Sequence, residues 1–356
     1  MAVLYRHRPA VRTSSQARRL LDWLRSRGRN LKPLMILTHD HPDPDCLASA
    51  WALSHLAYGL CKIRTRIVYG GMIGRAENRL MAERLLIPAY PLRKDELRQA
   101  PHIALVDTQP PFRNNRFSPR RRPDLIIDHH PRHAETQADM ALIDESVGAT
   151  STILAEALIA SGLKTPTRLA TALVYGIGSE TQNLGREASP RDMAVYQVFW
   201  PLANMKMLWK ISYPKRTAAF FADMARGIRN AFTCRNVIGV HLGPIQTPDR
   251  VAQIADFLMM HEKMTWSIVT GRYQGRLHVS LRSSDPTGNA GRLLRRLLGG
   301  GNRGGGHVMI AGGSVEVGID AHEIQWRQAE EKISSAFLQS QNFKEDVLLA
   351  YPFRRD

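Results

Sequence analysis

A chain of 356 residues with 44% apolar side chains is globular in composition and has material for two ordinary domains, each able to bury its own core. No run approaches the ~20 consecutive apolar residues that span a bilayer, so no membrane partner is expected. With 49 Lys and Arg against 32 Asp and Glu, the formal charge is +17. That excess favours a polyanionic partner such as nucleic acid or phosphates, although solubility alone also selects for it. The three cysteines, Cys46, Cys61 and Cys234, lack zinc-site spacing and cannot build a disulfide framework. A reducing, cytoplasmic setting fits that usage.

The N-terminus is rich in arginine but has no apolar core and small-residue cleavage site of a secretory signal. Ala17, Leu20, Leu21 and Leu24 have helical spacing, which predicts an amphipathic helix near 14–27. Leu34 to Leu37 reads as a buried strand, followed by a helix from Asp45 onward. Next come a strand over Arg64–Tyr69, a helix over 75–86 and strands ending at Asp107 and Asp128. Met140–Ile143 is a further short strand, and Gly148–Ser161 and Pro166–Gly178 are helices, the second opening on proline. Strands alternating with helices predict an α/β domain with a doubly wound, mostly parallel sheet over 1–190.

Residues 191–230 mix Trp200, Met205, Met207, Trp209 and Phe220 with basic side chains and read as a helical connector. A smaller C-terminal α/β domain over 231–345 follows. Its expected elements are a strand at Val237–Val240, a helix at Asp249–Met260 and a hairpin of 266–270 with 277–281. A helix at Asn289–Leu298, a strand at Val315–Ile319 and a closing helix near 325–339 complete it.

Three apolar runs end abruptly in chemistry-bearing residues. Leu34–Leu37 delivers Thr38 and His39, with Asp43 and Asp45 just beyond. Ile103–Val106 delivers Asp107, and Leu125–Ile127 delivers Asp128, His129 and His130. Open α/β sheets bind ligands at the carboxyl ends of their strands. Carboxylates with a few imidazoles suit Mn²⁺ or Mg²⁺ better than a thiolate zinc site does. His39, Asp43, Asp45, Asp107 and His129 are enough donors for two divalent ions with one bridging carboxylate, an arrangement that hydrolyses phosphoesters. Helix-capping aspartates and surface histidines are the plain alternative. That alternative explains His39 alone better than it explains five such residues at three strand ends.

The run Thr38-His39-Asp40-His41-Pro42-Asp43-Pro44-Asp45, together with Asp128-His129-His130, resembles the DHH phosphoesterase superfamily. The resemblance implies metal binding by His39, Asp43, Asp45, Asp107 and His129. It places His130 against the scissile phosphate and gives Asp128 an orienting role. A fourth family motif carries an aspartate where this chain reads Gly176-Ile177-Gly178-Ser179-Glu180-Thr181. Glu180 keeps the charge on an arm one methylene longer; it still reaches the metal, or the second site is weaker, or activity is reduced. Pro44 and Cys46 also depart from the pattern, at positions expected to tolerate them.

Gly304-Gly305-Gly306-His307, followed by Ala311-Gly312-Gly313, resembles the glycine–histidine signature of the DHH-associated C-terminal domain. There, glycines admit a phosphate or sugar close to backbone N–H groups, and Arg282 matches a substrate-binding arginine. The implied enzyme has a cleft between its lobes and uses two divalent ions, Mn²⁺ first and Mg²⁺ second. A metal-bound hydroxide would be the nucleophile. Its substrates are expected to be short single-stranded RNA or DNA, or a nucleoside bisphosphate such as 3′-phosphoadenosine 5′-phosphate, and a homodimer is compatible. Chain length disfavours a RecJ-type single-strand exonuclease with an added nucleic-acid-binding domain. A nucleotide-binding protein with impaired catalysis stays open because of Glu180. Two basic stretches, Arg113–Arg122 and Arg292–Arg296, are candidate tracks for a phosphate backbone.

Overall fold

The computed structural model describes residues 13–112, 114–285, 287–300, 303–306, 308–343 and 348–354. The chain divides after Pro214 into two units, each built on a sheet of its own.

In the first unit, β1 (Leu34–Leu37), β2 (Thr65–Tyr69), β3 (Ala89–Pro91), β4 (His102–Val106), β5 (Leu125–Asp128) and β6 (Met140–Ile143) form a sheet of order β3-β2-β1-β4-β5-β6. Every pairing is parallel. Side chains of a strand alternate between faces, and here both faces are covered. That is why β1 and β5 are buried at every position instead of alternating with polar residues. The helices are α1 (Ser15–Arg27), α2 (Pro44–Cys61), α3 (Ala76–Leu85), α4 (Glu96–Gln99), α5 (Thr150–Ser161) and α6 (Thr167–Glu180). Leu24, Leu53, Leu154 and Leu173 from the longer helices meet Leu34, Ile36 and Ile127 on one face. The other face, with Met35, Leu37, Leu105 and Ile126, is closed by Phe117, Ala100 and Leu97.

The chain runs outward from β1 through β2 to β3, then crosses to β4 on the far side of β1. Connections therefore leave β1 and β4 in opposite directions, which opens the crevice where such sheets place their sites. The proline expected as the first residue of α6 is its N-cap, and the helix runs on to Glu180.

The residues expected as a connector over 191–230 are shared between the units. α7 (Pro190–Phe199) and α8 (Met205–Ser212) belong to the first. A Ser189–Asp192 capping box opens α7, and Arg191 grips Glu156 of α5 through two 2.7 Å bonds. Asn204, the cap of α8, donates its N–H to Thr171 of α6 at 2.8 Å. α9 (Ala218–Arg229) belongs to the second unit, where Asp223 pairs with Arg250 at 2.9 Å.

The second unit continues with β7 (Phe232–Cys234), β8 (Val237–Pro244), α10 (Asp249–Leu258), β9 (Trp266–Tyr273) and β10 (Arg276–Ser283). It ends with α11 (Ala290–Leu297), β11 (Gly304–Gly306), β12 (Ile310–Glu316) and α12 (Glu323–Ser340). Its sheet has the order β11-β12-β10-β9-β8-β7, parallel between β8 and β9 and antiparallel elsewhere. Ile238 and Val269 pack with α10 while their neighbours Val237 and Ile268 pack with α11 and α12. The hairpin of β9 and β10 turns at Gln274 and Gly275, both with positive φ, which matches the right-handed twist of the strands. β12 starts at Ile310, five residues before the strand expected at Val315. Among the described residues, no helix is long and apolar enough to cross a membrane.

Candidate metal centre

Strand register brings the three sequence motifs level. Leu37 of β1 pairs with Leu105 of β4, and Val106 pairs with Ile127 of β5, so His39, Asp107 and His129 emerge from neighbouring strand ends. Asp107 stands in the middle. One of its carboxylate oxygens lies 3.5 Å from His39 Nε2; the other lies 3.7 Å from His129 Nε2 and accepts a 2.7 Å bond from the Thr150 hydroxyl. Burial alone would push this carboxyl up, but His39 and the charges of His130 and His129 hold it far below the usual range.

His39 Nδ1 is 2.9 Å from the Asp40 carbonyl, so that nitrogen carries a proton and Nε2 is the one turned toward Asp43 and Asp107. Asp43 caps α2 through a 3.0 Å bond from Cys46 N–H to Oδ1, leaving Oδ2 at 3.6 Å from His39 Nε2. Ligand atoms of His39, Asp43, Cys46 and Asp107 all lie within 4.8 Å of one another, as do those of Asp107, His129 and His130. Burial and the His130 charge push the His129 imidazole down, so at neutral pH it keeps a lone pair for an ion.

Asp45 and Glu180 stand outside these two tight groups. Asp45 is buried and accepts the backbone N–H groups of Thr150 and Ser151, both at 2.8 Å, at the start of α5. Oδ1, which takes the Ser151 N–H, also accepts the Ser49 hydroxyl at 3.4 Å, whereas Oδ2, which takes the Thr150 N–H, has a second lone pair to offer. Burial and the charges of Asp107, Asp43 and Glu180 push Asp45 up. Glu180, half-buried at the end of α6, is pushed up to about 7 by desolvation and by Asp43 and Asp107. The longer arm therefore still reaches the field of the cluster. Buried carboxylates that raise one another's pKa are what a divalent cation relieves, so this donor set fits such an ion.

His130 Nδ1 lies 2.8 Å from Asp128 Oδ1. Desolvation opposes its charge, yet Asp128, Asp107 and Glu180 push the imidazole up to about 10. Asp128 is fully buried and also accepts a 2.8 Å bond from the Gln109 side chain.

In the second unit, Gly304, Gly305 and Gly306 pair with Gly313, Gly312 and Ala311 as an edge strand rather than a loop. Gly306 has φ 148°, and a Cβ there would sit 2.1 Å from the Ile310 carbonyl, so only glycine fits. At Gly305 and Gly312 a Cβ would meet nothing within 4 Å, which leaves bare backbone facing open space. His307 lies outside the described residues. Arg282 differs from expectation. It is 5% exposed, its Nε donates to Asp256, and its Nη1 donates to Ser280 Oγ at 2.6 Å and the Leu281 carbonyl at 2.9 Å. The Asp256 carboxylate on α10 draws the guanidinium inward, so a phosphate would have to displace that bond.

Family comparison agrees with this architecture. Residues 33–177 match the DHH family N-terminal domain, and residues 235–337 match the DHHA1 domain. The chain carries both domains, which places it in the DHH superfamily. An uncharacterized protein of Methanocaldococcus jannaschii, MJ1633, is 32% identical over 88% of this chain and 65% of its own length. An A-adding tRNA nucleotidyltransferase of Geobacter sulfurreducens is 26% identical over 79% of this chain and 32% of its own. The chain thus spans under two thirds of either relative. A crystal structure of an exopolyphosphatase-related protein from Bacteroides fragilis shares the fold at TM-score 0.71 and 14% identity, covering 91% of this chain and 97% of that one.

Around the DHH domain's centre, three residues carry weight that sequence reading missed. Gln109 holds Asp128 and accepts the His133 N–H and the Thr136 hydroxyl at 3.0 and 2.7 Å, tying down the loop after β5. Thr150 touches both Asp45 and Asp107. Arg186 donates Nη2 to the Glu180 carbonyl at 2.8 Å, while its Nε and Nη1 are buried without a hydrogen-bond partner among the described residues. At the ends of β2 and β3, beside the His39–His41 loop, a depression of 470 Å³ is lined by Arg93, Lys94, Arg98 and Arg116 over Tyr69 and Leu97. Of the basic run before β5, Arg113 lies outside the described residues. Arg121 and Arg122 are spent on the carbonyls of Leu97 and Ala138 at 2.6 and 2.8 Å.

Proposed function

We propose that the chain is a divalent-metal-dependent phosphoesterase acting on short single-stranded oligonucleotides or a nucleoside bisphosphate such as 3′-phosphoadenosine 5′-phosphate. The observation that carries this reading is the convergence on Asp107 of donors from three parallel strand ends. In this reading His39, Asp43 and Asp107 hold one ion, and Asp45, Asp107, His129 and Glu180 hold the other. Bound ions supply an acidified water and offset charge on the phosphoryl oxygens.

The remaining chemistry belongs to the chain. His130, oriented by its 2.8 Å bond to Asp128, donates to a phosphoryl oxygen as charge develops there. Arg186 has two buried donors without partners among the described residues, and a phosphate oxygen satisfies such groups. The basic depression next to the His39 loop favours a substrate with more than one phosphate. The tRNA named in one relative's description supports nucleic acid over inorganic phosphate. In the DHHA1 domain, the backbone at Gly305 and Gly312 is the proposed substrate contact, and His307, which follows in the sequence, is the proposed further donor. Arg282 joins by exchanging its Asp256 bond for phosphate.

The test is Mn²⁺-dependent hydrolysis of a labelled RNA dinucleotide, a longer single-stranded DNA and 3′-phosphoadenosine 5′-phosphate. Alanine variants of Asp128, His129 and Glu180 run alongside. Turnover of the short substrates, lost in the variants, is the expected result. A folded protein that binds nucleotide and turns over none of them is instead a binding protein of this fold.

A further inference from the structure

Cys46 lies at the metal centre, and nothing in the reading above uses it. It is the third residue of α2, and its backbone N–H is the one that Asp43 caps at 3.0 Å. The thiol is fully buried. Its sulfur, His39 nitrogen, and Asp43 and Asp107 oxygens form a group whose atoms lie within 4.8 Å of one another. Ligands bound at ~2.0–2.3 Å to one ion are separated by at most about 4.6 Å, so these four side chains close a site by drawing in around an ion.

We propose that Cys46 is a fourth protein ligand at the position held by His39, Asp43 and Asp107, and that its sulfur turns this position toward thiophilic divalent ions. The inference rests on the metal-dependent reading above. Packing alone explains a small buried residue at position 46 but not a sulfur placed among three ligand atoms. Cys61 shows the ordinary case: its thiol donates to the Leu24 carbonyl at 3.1 Å and belongs to no such group. Imidazole and thiolate favour Zn²⁺, Co²⁺ or Fe²⁺, whereas carboxylate and water suit Mg²⁺ and Mn²⁺. The thiol proton passes to solvent as the ion binds. The other position, with Asp45, Asp107, His129 and Glu180, offers only oxygen and nitrogen. The two positions therefore prefer different ions.

Titration of the metal-free full chain with Co²⁺ tests this without reference to turnover. The wild type should develop an intense near-ultraviolet sulfur-to-cobalt charge-transfer band together with weak visible ligand-field bands. Cys46→Ser and Cys46→Ala should each lose the first and keep the second, while Cys61→Ser keeps both. In competition, preference for Zn²⁺ over Mn²⁺ should fall roughly tenfold or more in the Cys46 variants. Circular dichroism verifies folding, and the serine variant preserves side-chain volume if alanine does not fold. Ligand-field bands in the wild type without a charge-transfer band overturn the role of Cys46 and leave the metal centre standing. Absence of both bands with no retained Co²⁺ overturns the metal-dependent reading as well.

Discussion

Asp107 has a φ of 61°, a conformation that costs an L-residue on the order of 1 kcal/mol or more and persists only where its surroundings enforce it. His41, Gln182, Asn183, Leu184 and Glu187 share the left-handed region, and all lie in loops that border the centre. At Asp107 the strain falls on a residue whose carboxylate must be aimed. His130 shows a division of labour: Asp128 holds its ring, and Gln109 holds Asp128. His130→Ala should leave the metal content unchanged and lower kcat by roughly 10²- to 10³-fold, as loss of a donor to developing charge does elsewhere. Metal analysis with steady-state kinetics checks this, and loss of metal from the variant would contradict the assigned role. At this scale His39, Asp107 and His129 were legible because each follows an apolar run that ends abruptly. Gln109, Thr150 and Arg186 were not legible. They are ordinary polar residues whose partners are 6 to 105 positions away, and only the folded chain brings them together.

At the level of elements, the parallel strands were readable from their unbroken apolar runs, and α1 from its 17, 20, 21, 24 spacing. β11 and the first part of β12 were not. A strand made of glycines has no side chains to alternate, so Gly304–Gly306 looks like a loop until its pairing with Ala311–Gly313 is seen. The residues expected as a connector over 191–230 are divided by contacts that their sequence does not display: α7 joins the first unit through Val195 and Phe199 in that unit's core, through Asp192, which accepts from the Gly148 N–H and the Thr152 hydroxyl, and through Arg191. Its guanidinium binds Glu156 with two bonds and Asp144 with a third, each at 2.7 Å. Arg191→Ala leaves the Glu156 carboxylate buried without that partner. The expected loss is about 2–3 kcal/mol, below the full cost of breaking a buried pair because the arginine is partly exposed. Urea denaturation measures it, and a loss under about 0.5 kcal/mol, typical of a surface pair, would mean that α7 is held by its other contacts alone.

For the whole molecule, the two-domain α/β architecture was visible in the alternation of elements, whereas the division after Pro214 was not. The +17 charge gave a partner class but no site. The structure collects part of that charge in the depression of Arg93, Lys94, Arg98 and Arg116. The centre also makes the metal-free chain sensitive to pH. Glu180, pushed up to about 7 by desolvation with Asp43 and Asp107, binds a proton in the folded state that it releases near 4.5 when unfolded. An acid raised in this way stabilises the fold less as pH climbs from 4.5 through 7. His130, raised to about 10, adds stability that is complete below 6.5 and lost as pH rises through 10. The melting temperature of the metal-free protein should therefore fall between pH 5 and 8, and Glu180→Gln should flatten the slope. Saturating divalent ion at pH 8 should restore about 2.7 kcal/mol at a hundredfold excess over Kd. A metal-free melting temperature that rises over this range would show that Glu180 does not sit among the other carboxylates.

If Asp107 joins both metal positions, removing its carboxylate empties both, and bound metal per chain shows whether it does. Wild type and Asp107→Asn, each verified as folded by circular dichroism, would be dialysed against divalent ion and analysed for bound metal per chain. Two ions are expected in the wild type and neither at stoichiometric level in the variant, because one substitution removes a donor from both positions. A variant that keeps the wild-type complement would contradict it, and the convergence of three strand ends on Asp107 would then be packing rather than a metal centre.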